Sequence, residues 1–266
     1  MKYKVIVSDL DGTLLNPQGK ISPLTQVTLD TLSRKGVILV FATGRHPKDA
    51  LQISQILNHP VCIIGLNGAL TQCHHSGEIL YEHWLEPTCI TEISMLIQDQ
   101  DVHINAFDNQ GWKLCEVNEM AESYARFSAF PYTVIPPSAM FNLKINKLLL
   151  WKEEGIIGIE QTIRQHLGER LEYYRTSPQQ LEISPPRVSK ASAVTELLAA
   201  MGISFRHEAI AFGDGMNDSA MLQQAALGVV MGNAMPELRQ MLSKLPVASC
   251  NENDGVAHYL QKIFDI

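Results

Sequence analysis

Three aspartates, near opposite ends of the 266-residue chain, have the types and spacing that metal-assisted chemistry needs. Asp9 and Asp11 follow an apolar run in VIVSDLDGTLL, and Asp214 follows another in AIAFGDGMND. Because alternate residues of an extended strand point to the same face, the side chains of Asp9 and Asp11 should leave the strand end together. Carboxylate oxygens with few histidines nearby suit Mg²⁺, which binds carboxylates together with the phosphate oxygens of a substrate.

Three further residues carry groups that would hold a phosphoryl group. Thr43 offers a hydroxyl, Gly44 an exposed backbone N–H, and Lys190 a cation. A carboxylate can itself attack phosphorus and form an aspartyl phosphate, and a metal ion then allows one anion to approach another. Together these residue types predict phosphoryl chemistry.

Each stretch taken alone also has a simpler interpretation. The aspartate pair could form an Asx-turn, Thr43 and Gly44 a strand-to-helix turn, and Lys190 a solvated helix start, although the helix dipole disfavours a cation there. An EF-hand fits less well, because neither aspartate stretch has the alternating ligands and terminal Glu of that loop. We favour a site because several such stretches should meet at one edge of a sheet.

Other polar residues near these stretches keep two interpretations. Arg45 could contact a substrate or form a surface ion pair, and Asn67 could line a pocket floor or belong to a turn. His74 and His75 are expected in a solvated turn, since no spaced metal ligand accompanies them.

The elements that must position these residues alternate between apolar strands and helices. Strands are predicted over Val5–Ser8, from Val37 and over Val61–Ala69. A helix over Ser22–Lys35 has Ser22 as its N-cap and Pro23 at its first helical position. Continuous apolar strands between helices predict a parallel sheet covered on both faces, with its reactive edge beyond the carboxyl ends of the strands.

The middle of the chain has a different character. It alternates in polarity around the turn signal Asp108–Gly111, as a hairpin would, and the pair Pro185-Pro186 marks a loop before strands and helices alternate again. We therefore predict an α/β fold. A doubly wound, mainly parallel, Rossmann-like core would occupy residues 1–83 and 188–266, and an inserted α+β domain residues 84–187.

The composition argues against several functional classes. A net charge of −7 argues against a general nucleic-acid binder, but it permits a small phosphorylated ligand held by local groups. The five cysteines contain no Cys-x-x-Cys pair, so neither a zinc site nor a disulfide framework is predicted. The apolar run after Lys2 and Lys4 is too short for a signal sequence, and no later segment is apolar enough to span a bilayer. We expect a soluble cytoplasmic protein with no membrane partner.

The motifs DLDGT and GDGMND, in this order and at opposite ends, resemble those of the haloacid dehalogenase superfamily of phosphohydrolases. More narrowly, the chain resembles the Cof-like group, which carries a large α/β cap, and the resemblance covers essentially its whole length. It implies that Asp9 is the nucleophile and a Mg²⁺ ligand, and that Asp214 is a further ligand. Asp11 would be the general acid and base, with its backbone carbonyl on the metal ion.

The same resemblance assigns a phosphate-binding side to the site. It implies contacts from the backbone N–H of Leu10 and from Thr43, Gly44, Lys190 and Asn217, with Asp218 supporting Asp214 or Lys190. Related sequences commonly have glycine after the lysine, where this chain has Ala191. Because alanine is a better helix former than glycine, the helix start should persist.

The function implied by the resemblance is Mg²⁺-dependent hydrolysis of small phosphorylated metabolites through an aspartyl phosphate. The inserted cap would act as a lid that excludes water and selects the substrate. Sugar phosphates, pyridoxal phosphate and flavin mononucleotide lie within the range of the family. Two alternatives stay open: a phosphoryl transferase or mutase that passes the group to a sugar hydroxyl, and a non-catalytic sensor of phosphorylated metabolites. The sequence does not decide between a monomer and a dimer.

Overall fold

The structure is a computed structural model that describes residues 2–73 and 77–266. The turn predicted at His74 and His75 lies outside the described residues. The chain forms two compact units: Met1–Leu80 with Lys190–Ile266, called the core unit here, and Tyr81–Ser189, called the insert. Within the described residues, none of the helices has both the length and the hydropathy needed to cross a bilayer.

The larger sheet has seven strands, and all of it except the last two residues of β5 belongs to the core unit. Its strands, numbered through the whole chain, are β1 Val5–Ser8, β2 Ile38–Ala42, β3 Val61–Gly65, β4 Leu70–Cys73, β5 Ile79–Glu82, β12 Ala209–Gly213 and β13 Leu227–Val230. They lie in the order β13-β12-β1-β2-β3-β4-β5. The strands from β13 to β3 are parallel to their neighbours, whereas β4 runs antiparallel to β3. The predicted α/β fold with a mainly parallel sheet is confirmed.

Helices fill the connections of the core unit. They are α1 Pro23–Arg34, α2 Pro47–Ser54, α7 Lys190–Ala200, α8 Phe205–Glu208, α9 Ser219–Gln224, α10 Pro236–Met241 and α11 Gly255–Phe264. The helix α1 begins as predicted, because Ser22 Oγ accepts a hydrogen bond from the Thr25 backbone N–H at 3.1 Å. It packs against α11, whose Gln261 amide donates to the Thr28 hydroxyl at 3.1 Å. The first and last helices of the chain therefore support each other.

The insert contains a six-stranded sheet and four α-helices. Its strands are β6 His103–Asp108, β7 Gly111–Leu114, β8 Tyr132–Val134, β9 Lys147–Trp151, β10 Glu172–Ser177 and β11 Gln180–Ser184, in the order β10-β11-β9-β6-β7-β8. Its helices are α3 Pro87–Ile97, α4 Glu119–Ser128, α5 Pro137–Met140 and α6 Ile157–Leu167. The predicted hairpin is present, since Asp108 Oδ1 accepts from the N–H groups of Gln110 and Gly111, both at 2.9 Å.

The insert has a hydrophobic core of its own. Leu148 and Leu150 of β9 pack in one buried cluster with Ile93 of α3 and Ile163 of α6. Such a cluster is what a compact unit of this size needs in order to hold its sheet and helices together.

Candidate active site

The parallel pairing of the core sheet brings three strand ends to one edge. Ser8 of β1 lies opposite Phe41 of β2 and Phe212 of β12. Asp9, Thr43 and Asp214 follow these residues by one or two positions, so they leave the sheet at the same edge. This is the carboxyl edge, where ligands of open α/β sheets bind.

Three carboxylates gather at this edge. Asp9, Asp214 and Asp218 each offer an oxygen, and these oxygens all lie within 4.8 Å of one another. Asp9 and Asp218 are buried and Asp214 is partly buried. A cluster of this kind supplies the hard oxygen ligands that a divalent cation such as Mg²⁺ prefers.

Lys190, the first residue of α7, is buried among these carboxylates. Its Nζ donates to Asp9 Oδ1 and to Asp218 Oδ1, both at 2.7 Å, and the residue is 1% exposed. The presence of alanine after the lysine does not prevent α7 from starting at Lys190. Three carboxylates around one ammonium leave an excess of negative charge, which a divalent cation would balance.

The electrostatics of the metal-free cluster reflect this excess. Burial raises the pKa of Asp9 well above its usual range, Lys190 opposes that rise, and Asp218 and Asp214 add to it. Burial raises the pKa of Asp214 to about 6, with help from the charge of Asp218. Burial alone would lower the pKa of Lys190, but Asp218 and Asp9 outweigh it and raise that pKa. Lys190 therefore stays protonated.

Asp218 holds the loop that carries Asp214. Its Oδ2 accepts from the backbone N–H groups of Asp214 and Gly215, both at 3.0 Å, while its Oδ1 takes the Lys190 ammonium. The sequence suggested a support for either Asp214 or Lys190, and the structure places Asp218 against both.

Thr13 is a site residue that the sequence reasoning missed. Its hydroxyl donates to Asp214 Oδ1 at 2.7 Å, which ties the DLDGT motif to the GDGMND motif. Gly12, one residue earlier, has φ of +75°, and a Cβ atom there would collide with the Asp214 carboxylate. Gly12 and Thr13 belong to the DLDGT motif together with Asp9 and Asp11, so their position in the sequence could have identified them as site residues.

Asp11 is not part of the carboxylate cluster. Its two oxygens accept from Arg45 Nε and Nη2, both at 2.6 Å, in a bidentate ion pair, and its side chain is about half exposed. Arg45 is buried and also donates to both oxygens of buried Asp49, at 3.2 and 3.3 Å. The side chain of Asp11 is therefore directed to Arg45 rather than to the carboxylates of Asp9, Asp214 and Asp218.

The residues of the ATGR stretch follow β2 at the same edge. Thr43 is buried, its N–H donates to the Ile64 carbonyl at 2.8 Å, and its hydroxyl oxygen accepts from the Arg45 N–H at 3.1 Å. A hydroxyl that accepts one hydrogen bond can still donate its own proton. Leu10 has a fully buried side chain, so only its backbone can serve a ligand.

A turn at the end of β3 completes the edge. Its residue Asn67 is fully buried, and Asn67 Oδ1 accepts from Asn217 Nδ2 at 3.1 Å. Asn217 itself is partly buried in the GDGMND loop. The structure thus brings Asp9, Thr43, Lys190, Asp214, Asp218 and Asn217 to one place.

Comparisons with known proteins agree with this arrangement. The family described as haloacid dehalogenase-like hydrolase matches residues 6–260. An HMP-PP phosphatase of Escherichia coli is 33% identical over 260 residues, which cover 97% of this chain and 94% of that protein. An HMP-PP phosphatase of Cronobacter sakazakii is 31% identical over 259 residues with the same coverage. The crystal structure of a haloacid dehalogenase-like hydrolase from Bacteroides thetaiotaomicron superposes with a TM-score of 0.88 at 28% identity, over 99% of this chain and 100% of that one.

Proposed function

This chain is a phosphatase of the haloacid dehalogenase-like hydrolase family, and on that premise we propose that it hydrolyses small phosphorylated metabolites with Mg²⁺ through a phosphorylated Asp9. The observation that carries the proposal is the buried Lys190 ammonium, shared at 2.7 Å by Asp9 and Asp218 at the carboxyl edge of the sheet. A buried cation next to a carboxylate is the arrangement that a carboxylate needs in order to approach a phosphate dianion.

Asp9 is the proposed nucleophile. One of its oxygens forms a bond to phosphorus as the bond from phosphorus to the ester oxygen breaks, which leaves an aspartyl phosphate. Its position at the end of a buried strand fixes the carboxylate, and Lys190 holds Oδ1. Lys190 then also neutralises charge on the phosphoryl oxygens.

Mg²⁺ would be held by the carboxylates of Asp9 and Asp214 and by the backbone carbonyl of Asp11. When bound, it would supply positive charge that screens the nucleophile from the phosphate and polarises the phosphoryl group. The close approach of the oxygens of Asp9, Asp214 and Asp218 supports this assignment. The hydrogen bond from Thr13 and the backbone contacts of Asp218 would keep Asp214 in place for it.

Asp11 is the proposed proton carrier. It gives a proton to the leaving oxygen in the first step and takes one from the water that attacks the aspartyl phosphate in the second. Its carboxyl group is about half exposed but is held by Arg45 in a bidentate ion pair, so the proposed role requires that pair to open when the substrate binds. Thr43, Gly44, Asn217 and the N–H of Leu10 are proposed to bind the phosphoryl oxygens.

Hydrolysis of p-nitrophenyl phosphate tests the chemistry. We expect turnover that needs Mg²⁺ and that is lost in Asp9→Asn, because an amide cannot attack phosphorus. The matched control is Asp265→Asn, the same change at an exposed position next to the C-terminal residue, which should keep full activity. Turnover that survives in a correctly folded Asp9→Asn variant would overturn the assignment of the nucleophile.

The substrate class requires a wider screen. Because the similar proteins are named for HMP-PP, that compound belongs in the panel beside sugar phosphates, pyridoxal phosphate and flavin mononucleotide. Hydrolysis predicts that inorganic phosphate and the alcohol are released in equal amounts. Transfer of the phosphoryl group to an added sugar, without release of phosphate, would favour a transferase instead.

A further inference from the structure

The chain adopts a strained conformation where β3 ends. Leu66 and Asn67 have φ of +52° and +57°, and Gly68 follows with φ of +106°. Left-handed backbone is uncommon for residues other than glycine, and a leucine in this region is a genuine outlier. Both non-glycine residues are fully buried, so the surrounding structure must impose the conformation. Strain of this kind is concentrated at functional sites.

The backbone of this turn holds the stretch that follows β2. The N–H of Leu66 donates to the Arg45 carbonyl at 2.8 Å, and the N–H of Asn67 donates to the Thr43 carbonyl at 3.0 Å. Gly65 lies just before the turn, where a Cβ atom would collide with the ring of Pro47. The turn therefore lies directly against the proposed phosphate-binding stretch.

The side chain of Asn67 reaches a second part of the site. Its Oδ1 accepts from Asn217 Nδ2, although the two residues are 150 positions apart in the chain. The helix α7, which begins at Lys190, packs against the same turn. One strained turn thus contacts the elements that carry Thr43, Lys190 and Asn217.

We propose that Asn67 is a positioning residue for phosphate binding, which acts by orienting the amide of Asn217. An asparagine amide has two N–H donors and one acceptor oxygen. By accepting one donor of Asn217, Asn67 Oδ1 fixes which end of that amide is the nitrogen, and it leaves the second N–H to be donated to a phosphoryl oxygen. The inference rests on the proposed function, in which Asn217 contacts phosphate.

The variant that tests the inference is Asn67→Gly. Glycine adopts left-handed backbone freely, so the turn and its two backbone hydrogen bonds should remain while the side chain is lost. We expect kcat/KM for p-nitrophenyl phosphate to fall about tenfold, and the inhibition constant of inorganic phosphate to rise to a similar extent, as for the loss of one hydrogen bond that orients a polar group. The thermal unfolding midpoint should fall by about 2–4 °C, because a buried side chain with a hydrogen bond is lost, and the variant should stay folded at the assay temperature.

A double-mutant cycle with Asn217→Ala distinguishes positioning from a direct contact. If Asn67 acts through Asn217, the double variant should be no less active than Asn217→Ala alone, within about twofold. Effects that multiply would overturn the inference, as would an Asn67→Gly variant whose kcat/KM and phosphate inhibition match the wild type. All assays are run well below the unfolding midpoint of each variant.

A matched control isolates the backbone effect. Ala129 has φ of +55°, is exposed and supplies none of the groups at the carboxyl edge of the core sheet, so Ala129→Gly makes a comparable change of backbone freedom and should leave kcat/KM for p-nitrophenyl phosphate unchanged. Absence of turnover in the wild type would contradict the proposed function. An active wild type with an unaffected Asn67→Gly variant would contradict only the role of Asn67.

Discussion

At the scale of single residues, Lys190 is the group on which the site depends most. It is almost fully buried and contacts two carboxylates. We expect Lys190→Met to lower the free energy of unfolding by about 3–5 kcal/mol, because it leaves buried carboxylates without their cation. Phosphatase activity should be lost as well. Urea unfolding and p-nitrophenyl phosphate hydrolysis measure the two effects.

The control for this change is Lys4→Met. Lys4 pairs with Glu208, but its side chain is 57% exposed. Removal of such a surface pair should change the free energy of unfolding by less than about 1 kcal/mol and should leave activity intact. Equal losses of unfolding free energy in Lys190→Met and Lys4→Met would contradict the conclusion that the contribution of an ion pair depends on its burial.

Asp214 makes the stability of the metal-free protein depend on pH. Its pKa rises from 3.8 to about 6 on folding, first because of burial and then because of the charge of Asp218. A raised pKa means that the fold favours the protonated form, so this contribution to stability is present below pH 3.8 and is lost as the pH rises through about 6.

Binding of Mg²⁺ should restore the stability that is lost at higher pH, because Mg²⁺ binds the ionised carboxylate of Asp214. The increase in unfolding midpoint on adding Mg²⁺ should be small at about pH 5 and should grow as the pH rises above about 6, because Asp214 and Asp9, both with a raised pKa, must ionise to bind the ion. Thermal unfolding with and without Mg²⁺ across this range measures it. Asp214→Asn should remove most of the increase, and an increase that is equal at all pH values would contradict the prediction.

Single residues also show the limit of what the sequence can predict. Asp9, Asp11 and Asp214 stand out because carboxylates directly after apolar runs are unusual. The bidentate ion pair between Asp11 and Arg45 could not be predicted in this way, because the two residues are 34 positions apart and either side chain could have faced solvent. Such a contact depends on the packing of two loops, which no local pattern specifies.

At the scale of elements, the turn over Leu10–Leu14 determines where the DLDGT residues point. Amides from two distant loops hold it: Asn233 Nδ2 donates to the Gly12 carbonyl and Asn251 Nδ2 to the Leu15 carbonyl, both at 2.7 Å. In the turn itself, Gly12 lies so close to Asp214 that no side chain fits. The turn therefore needs glycine for two reasons, its positive φ and the approach of Asp214.

Two glycine substitutions separate these reasons. Gly36 has φ of +87° with no atom near its missing Cβ, so Gly36→Ala should cost only the strain of left-handed alanine, about 1–2 kcal/mol. Gly12→Ala adds a collision with Asp214, so it should cost more and weaken Mg²⁺ binding by about 10–100-fold, as for the loss of a group that supports a metal ligand. Mg²⁺ titration followed by thermal shift compares them. Normal Mg²⁺ affinity in Gly12→Ala would contradict the prediction.

The elements themselves were predicted where one local signal dominated. The strand β1 and the helix α1 were found because an apolar run and an N-cap with proline are local features. The strands β4 and β5 were missed, because both are four residues long and mix polar with apolar side chains. The predicted strand from Val61 ends earlier than expected, at Gly65, because Leu66 turns into left-handed backbone under the constraint of its neighbours.

At the scale of the whole molecule, the proposed chemistry belongs to one unit. The carboxylates, Lys190 and the proposed phosphate contacts all come from the core unit, whereas the insert has a separate hydrophobic core. We propose that the insert selects the substrate and that the core unit binds Mg²⁺ and performs the reaction. A substitution in the insert should then affect selection and stability without altering the metal ligands.

Leu150→Ala tests this division, because Leu150 is fully buried in the core of the insert. The cavity should lower the free energy of unfolding of the insert by about 2–5 kcal/mol. The Mg²⁺ affinity should stay unchanged, while the ratio of kcat/KM between a metabolite and p-nitrophenyl phosphate should shift. A change in Mg²⁺ affinity with no shift in that ratio would contradict the division. Val7→Ala, in the buried strand β1 that ends at Ser8, should give the opposite pattern, since the cavity lies two residues before Asp9, the proposed nucleophile and Mg²⁺ ligand.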